Sequence, residues 1–126
     1  MKIPTSDTIE LLEKTATGKG TCADAAAILF CMDKPIICSS NTMKKNDDPT
    51  AHAAIVVTRL KRSEIRKAGQ QCYILLSEKP CPMCATGIYR SRIYHVFFLE
   101  NNKINYIDLR NDTVNRYEEI PVSKDK

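Results

Sequence analysis

Two stretches decide this chain: Asp48-Pro49-Thr50-Ala51-His52-Ala53-Ala54 and, further along, Pro80-Cys81-Pro82-Met83-Cys84. One imidazole and two thiols, delivered from separate segments, supply three ligands of a tetrahedral zinc site and leave the fourth corner to water. The prolines say what carries them. Pro49 suits the start of a helix, and Pro82 fits the first turn of another, where a missing N–H costs nothing. Both cysteines then sit at a helix N-terminus, whose partial positive charge favours thiolate.

Working outward, the local patterns alternate. Thr5-Ser6-Asp7 caps a helix whose Ile9, Leu12 and Ala16 share a face and which ends at Gly18 and Gly20. Ala23 to Cys31 and Pro35 to Ser39, joined by Met32-Asp33-Lys34, read as a hairpin of buried strands. The polar loop Ser40 to Asp48 leads into a helix from His52 through Lys67, closed by Arg66, Lys67 and Gly69. Cys72 to Ser77 is a third strand, Pro82 to Tyr89 or Arg90 a helix, and Ile93 to Leu99 a fourth strand rich in β-branched and aromatic residues. A further strand is expected near Ile104 to Leu109, with a charged tail after Ile120. Strands alternating with helices predict a single-domain, three-layer α/β/α fold with a mixed central sheet of about five strands.

Composition bounds the rest. A chain of 126 residues forms one core without disulfides. The net charge of +4 is too mild for the concentrated positive field of a dedicated nucleic-acid binder. No apolar run spans a bilayer, and Met1-Lys2-Ile3-Pro4 lacks the apolar core of a secretion signal. Of the six cysteines, Cys22, Cys31, Cys38 and Cys72 fall mostly in apolar segments. They are read as free buried thiols, which implies a reducing, cytoplasmic location.

A Cys-x-x-Cys has plainer meanings: a redox pair, or half of a structural zinc knuckle that needs a fourth protein ligand. Cys72 is the nearest spare thiol but reads as core, and His95, at a strand start, as packing. In the open-site reading, the cation lowers the pKa of the water in the fourth corner, which can then attack an aromatic ring carbon bearing an amino group. That attack needs a carboxylate to carry protons between water, ring nitrogen and departing ammonia, worth roughly a hundred- to ten-thousand-fold. The zinc deaminase signature has glutamate two residues after the histidine, and here that position holds Ala54. Asp47 and Asp48 precede the helix and Glu64 lies turns along it, so the chain is expected to bind zinc and substrate and turn over little.

Asn41, the stretch Asp48 to Ala53, and Pro80 to Cys84 followed by Gly87-Ile88-Tyr89 resemble the cytidine and deoxycytidylate deaminase superfamily over roughly residues 20 to 100. The branch most similar holds guanine deaminases, fungal-type cytosine deaminases and bacterial tRNA adenosine deaminases. The resemblance implies a catalytic zinc on His52, Cys81 and Cys84, a homodimer or larger assembly, and substrate contacts from the Asn41 side chain and the backbones of Ala53 and Cys81. On the residues alone Asn41 reads first as a turn former at a strand end. Ala54 has two explanations, a laboratory substitution that traps substrate or a naturally non-catalytic subunit, and the first is favoured because everything else around it follows the active pattern. The short C-terminal segment departs from the longer tail of guanine deaminases and counts against guanine.

Three functions follow. The first is a deaminase of a free amino-purine or amino-pyrimidine, or a simple derivative, inactivated at Ala54. The second is an RNA-editing deaminase with tRNA adenosine as substrate, for which Lys44, Lys45, Arg90 and Arg92 would rim the pocket and hold phosphates while Tyr89 and Tyr94 stack on a base. The third is a silent subunit that scaffolds an active partner.

Overall fold

A computed structural model describes residues 4–111 and 118–120. The expected charged tail after Ile120 lies outside them, as does most of the start read for a secretion signal. In chain order the elements are α1 (Ser6–Thr15), β1 (Ala27–Cys31), β2 (Lys34–Ser39), α2 (Met43–Asn46), α3 (Ala53–Leu60), α4 (Arg62–Ala68), β3 (Cys72–Leu76), α5 (Pro82–Arg90), β4 (His95–Glu100), β5 (Lys103–Asp108) and β6 (Glu118–Ile120).

The strands form one mixed sheet in the order β2-β1-β3-β4-β5-β6. Only β3 and β4 run parallel, because α5 carries the chain across between them; the other neighbours are antiparallel. Compared with the roughly five strands expected, the short β6 is an addition at the edge. Alternation sorts the side chains onto two faces. Ala27, Leu29, Ile74, Leu76, Val96 and Phe98 point toward α3, α4 and α5 and pack on Val57, Ile65 and Ile88. Ile28, Phe30, Tyr73, Leu75 and Phe97 point the other way and are covered by Leu12 of α1. The result is the α/β/α layering predicted from the sequence.

Local chemistry sets the ends. Thr5 and Thr8 form a reciprocal capping box at the start of α1. Met32 and Asp33 both adopt left-handed backbone, φ 56° and 63°, and so make the two-residue turn that matches the twist of the β1–β2 hairpin.

Three expectations are corrected. The single helix from His52 through Lys67 is two: Lys61, at φ −113° and ψ 28°, leaves helical geometry and separates α3 from α4. The loop before His52 contains α2, which ends at Asp47 in left-handed conformation. Cys31 and Cys72, read as free thiols, are antiparallel partners on β1 and β3 and form a disulfide with Cα atoms 4.3 Å apart. Sheet register brought them together, and spacing along the chain gave no sign of it. No described helix is long and apolar enough to cross a membrane.

Candidate metal centre

α3 and α5 lie side by side on one face of the sheet and point their N-termini at a common place. His52 is the N-cap of α3, with extended backbone at φ −63° and ψ 154°. It follows a turn in which Asp48 Oδ1 accepts hydrogen bonds from the Thr50 amide at 2.9 Å and the Thr50 hydroxyl at 2.6 Å. These bonds hold the Asp48 carboxyl below its usual range. Cys81 is the N-cap of α5, with Pro82 at the first helical position, and its sulfur accepts from the Cys84 amide at 3.5 Å. Gly87 permits the close approach of the two helices: a Cβ there would come within 2.5 Å of Ile55 Cδ1 on α3.

The three expected ligands meet. His52 Nδ1 lies 3.7 Å from Cys81 Sγ and 3.3 Å from Cys84 Sγ. A fourth residue joins them. Cys22, in the short helical turn Cys22–Asp24 that precedes β1, brings its Sγ to 3.5 Å from Cys84 Sγ. The ligand atoms of Cys22, His52, Cys81 and Cys84 all lie within 4.8 Å of one another, and the group contains no carboxylate.

The donor set can be tested against zinc by length. Bonds of about 2.3 Å to sulfur and about 2.0–2.1 Å to nitrogen place the corners of a tetrahedron about 3.5–3.8 Å apart. Three of the six pairs, at 3.3, 3.5 and 3.7 Å, lie close to those edges, and the others are within 4.8 Å. Three sulfurs and one imidazole are also a standard structural zinc set. The group therefore fits zinc, and it fits with four protein ligands. Thiols this close compete for charge. The hydrogen bond to Cys84 draws the Cys22 thiol down to about 5, while the same contact and burial push the Cys84 thiol up.

The other expected site residues are placed as follows. Ala53 and Ala54 open α3 and are buried, with Ala54 packed in the same cluster as Cys84. Asn41 follows β2, but its amide is spent within the chain. Its Nδ2 donates to the Ala23 carbonyl at 2.9 Å and to Thr17 Oγ1 at 3.1 Å, and its Oδ1 accepts from the Met43 amide at 3.4 Å. Residues 17–24 thus contribute both the fourth sulfur and the groups that occupy Asn41. Thr17 and Thr21 brace this loop on the Asp24 carboxylate, at 3.2 and 3.1 Å. His95 is apart from the centre, hydrogen-bonded to the Tyr106 hydroxyl. Of the four basic residues expected to rim the pocket, Lys44 and Lys45 are exposed on α2, and Arg90 closes the far end of α5 from Cys81.

Cys22 is what the sequence reading missed. It belongs to no spaced motif and is 62 residues from Cys84. The available signal was a cysteine in Thr21-Cys22-Ala23-Asp24, a turn-forming context where an apolar strand had been assumed.

Comparisons with known proteins agree with this geometry. The family profile described as the cytidine and deoxycytidylate deaminase zinc-binding region matches residues 6–100. The chain is 30% identical over 93 residues to a tRNA-specific adenosine deaminase of Agrobacterium fabrum (strain C58), covering 71% of this chain and 60% of that one. It is 38% identical over 60 residues to the guanine deaminase of Bacillus subtilis (strain 168), covering 46% of this chain and 38% of that one. It therefore spans less than two thirds of either relative. Among solved structures, the Bacillus subtilis guanine deaminase superposes with a TM-score of 0.54 at 26% identity over 75% of this chain and 64% of its own. A structure from studies of A-to-I editing by tRNA:A34 deaminases at the tRNA wobble position gives 0.52 at 28% identity, over 60% of this chain and 58% of its own. By the length of the profile match and the meeting of His52, Cys81 and Cys84, this chain belongs to the cytidine and deoxycytidylate deaminase zinc-binding family.

Proposed function

We propose that this chain is a zinc-holding deaminase-family domain that does not itself turn over and that acts through binding, as a silent subunit. The observation that carries this is the fourth sulfur: Cys22 stands with His52, Cys81 and Cys84 where an open site has only three ligands. Zinc with three protein ligands offers hydrolytic chemistry at its free position, whereas zinc with four offers rigidity. Two further features support silence, of which Ala54 is independent of the loop that carries Cys22. Ala54 has no proton to give or take, and the Asn41 amide is already bonded to Ala23 and Thr17. The acid–base group is missing at Ala54, and the metal corner and the Asn41 amide are both taken up by residues 17–24, which favours a natural non-catalytic role for Ala54 over an isolated substitution.

The second reading is hydrolytic deamination of an amino-purine, an amino-pyrimidine or a tRNA adenosine; the two relatives are by name a guanine deaminase and a tRNA-specific adenosine deaminase. Convergence of His52, Cys81 and Cys84 favours it, and it requires residues 17–24 to leave the centre. Restoring the acid decides between the two. Ala54→Glu, loaded with zinc and offered bases, nucleosides and RNA, is expected to release no ammonia. Release from any of them at a rate above the buffer blank would overturn the silent reading. Sedimentation of the zinc-loaded chain, alone and with a catalytic deaminase of the same family, reads the homodimer that the resemblance implies against a mixed assembly.

A further inference from the structure

At the end of α5 away from the cysteines lies a second feature, which the metal centre does not use. A cleft of about 390 Å³ opens between α4 and the residues that follow α5. Four of the seven residues lining it are arginines: Arg62 and Arg66 from α4, and Arg90 and Arg92 from the α5 terminus. Arg62 and Arg66 are four apart and so share a face of α4. Ile65 and Thr58, both buried, also line the cleft. No aspartate or glutamate lines the cleft. Among the described residues none of the four arginines makes an ion pair, and the neighbouring Glu64 is held by Lys61 at 3.4 Å. Arg92 has left-handed backbone at φ 67°, a conformation usually given to glycine or asparagine. The chain thus turns sharply after α5 and still carries a cation at the turn.

Like charges gathered without a counter-charge repel, and a bound polyanion relieves that repulsion. Planar guanidinium groups match phosphate oxygens with paired hydrogen bonds. No aromatic ring lines the cleft, so nothing in it stacks a base, and recognition falls on backbone phosphates rather than on sequence. Arginines drawn from two elements suit a strand with several phosphates better than one small ion. We propose that this cleft binds the phosphodiester backbone of a single-stranded nucleic acid. The nine-residue α5 separates it from the metal centre by about 13 Å at 1.5 Å per residue, so a strand held there leaves the zinc-bearing end uncovered.

The test is fluorescence anisotropy of the zinc-loaded chain with labelled 20-nucleotide single strands of RNA and of DNA, titrated from about 50 to about 200 mM salt. Binding is expected to weaken steeply with salt, since each neutralised phosphate contributes about 0.7 to the logarithmic slope for single strands. Arg62→Gln with Arg66→Gln, and separately Arg90→Gln with Arg92→Gly, are each expected to weaken binding about tenfold or more and, by removing two cations, to flatten the slope by about 1.4. Arg92→Gly suits the left-handed backbone, so loss of binding there reports lost charge, and melting temperatures confirm the fold. Lys14→Gln, on the far helix α1, is expected to bind as the parent does. RNA held more tightly than DNA would identify ribose-bearing strands as the source of the phosphates, and equal binding would support backbone recognition alone. No binding at 50 mM salt would overturn the proposal, as would binding that ignores the arginine substitutions. So would displacement of the strand by polyglutamate or inorganic phosphate at equal charge concentration, which would mark a general acidic-protein or small-anion site. Neither turnover nor Cys22 enters this readout, so it can fail while the silent reading stands, and the reverse.

Discussion

Cys22 carries the silent reading proposed above, because it brings a fourth ligand atom beside those of His52, Cys81 and Cys84. Removing it leaves three ligands, so Cys22→Ala is expected to stay folded with zinc and to lose the metal faster to a chelator than the parent. Cys84→Ala is expected to lose metal and melting temperature together: Cys84 is fully buried and within reach of both His52 and Cys22, and zinc binding is linked to folding. Chelator competition followed by thermal melts reads both, and a Cys22→Ala variant that holds zinc as firmly as the parent would place this sulfur outside the metal shell. A second prediction at this scale concerns pH. Burial holds the His95 ring below its ordinary value of 6.5, against an opposing pull from Asp108. The unfolded chain takes up a proton below about 6.5 that the folded chain resists, so the stability tied to neutral His95 is full above that pH and falls as pH drops. The fall in melting temperature between pH 7 and 5.5 is expected to be smaller in His95→Gln than in the parent. Equal falls would mean that another group is responsible. His52, Cys81 and Cys84 were legible in the sequence because each stands in a short motif whose spacing is itself the chemistry. Cys22 was not, because a ligand supplied by a turn far upstream leaves no spacing to read.

Among the elements, the helices at the centre are positioned by packing, and the predictions are steric. Leu12 is the fully buried residue by which α1 covers its face of the sheet. Leu12→Ala is expected to cost about 2–5 kcal/mol, whereas Leu11→Ala, at a side chain 48% exposed, should change stability by under about 0.5 kcal/mol. Urea denaturation of the two variants makes the comparison, and similar losses would show that α1 is not docked through Leu12. Most element identities could be read from periodicity and caps, including α5 to within a residue and the β1–β2 hairpin, whose first strand starts at Ala27 rather than Ala23. The break at Lys61 could not, since neither proline nor glycine marks it and the apolar pattern runs on from Val57 to Ile65. The Cys31–Cys72 pair was hidden for a related reason: a residue's cross-strand neighbour is fixed by sheet register, which depends on residues 41 positions away.

For the whole molecule, the order of the sheet explains why one loop can seal the centre. β1 lies between β2 and β3, so the turn entering β1 opens directly beside the residues that leave β3 for Cys81. That places Cys22 over the N-termini of α3 and α5, and Ala23 within reach of Asn41 beyond β2. The layered α/β/α architecture was apparent in the sequence, but this adjacency follows from strand order, which no local pattern carries. It also gives the protein two separated ends along α5, a metal centre at the N-terminus and a cationic cleft at the C-terminus.

The silent role proposed above requires that zinc held by Cys22, His52, Cys81 and Cys84 has no corner left for water. X-ray absorption at the zinc edge of the metal-loaded chain counts its ligands directly. Three sulfurs at about 2.3 Å and one nitrogen at about 2.0 Å, falling to two sulfurs in Cys22→Ala, is the predicted result. Two sulfurs with two nitrogen or oxygen neighbours in the parent protein would contradict it and return the chain to the open, hydrolytic members of its family.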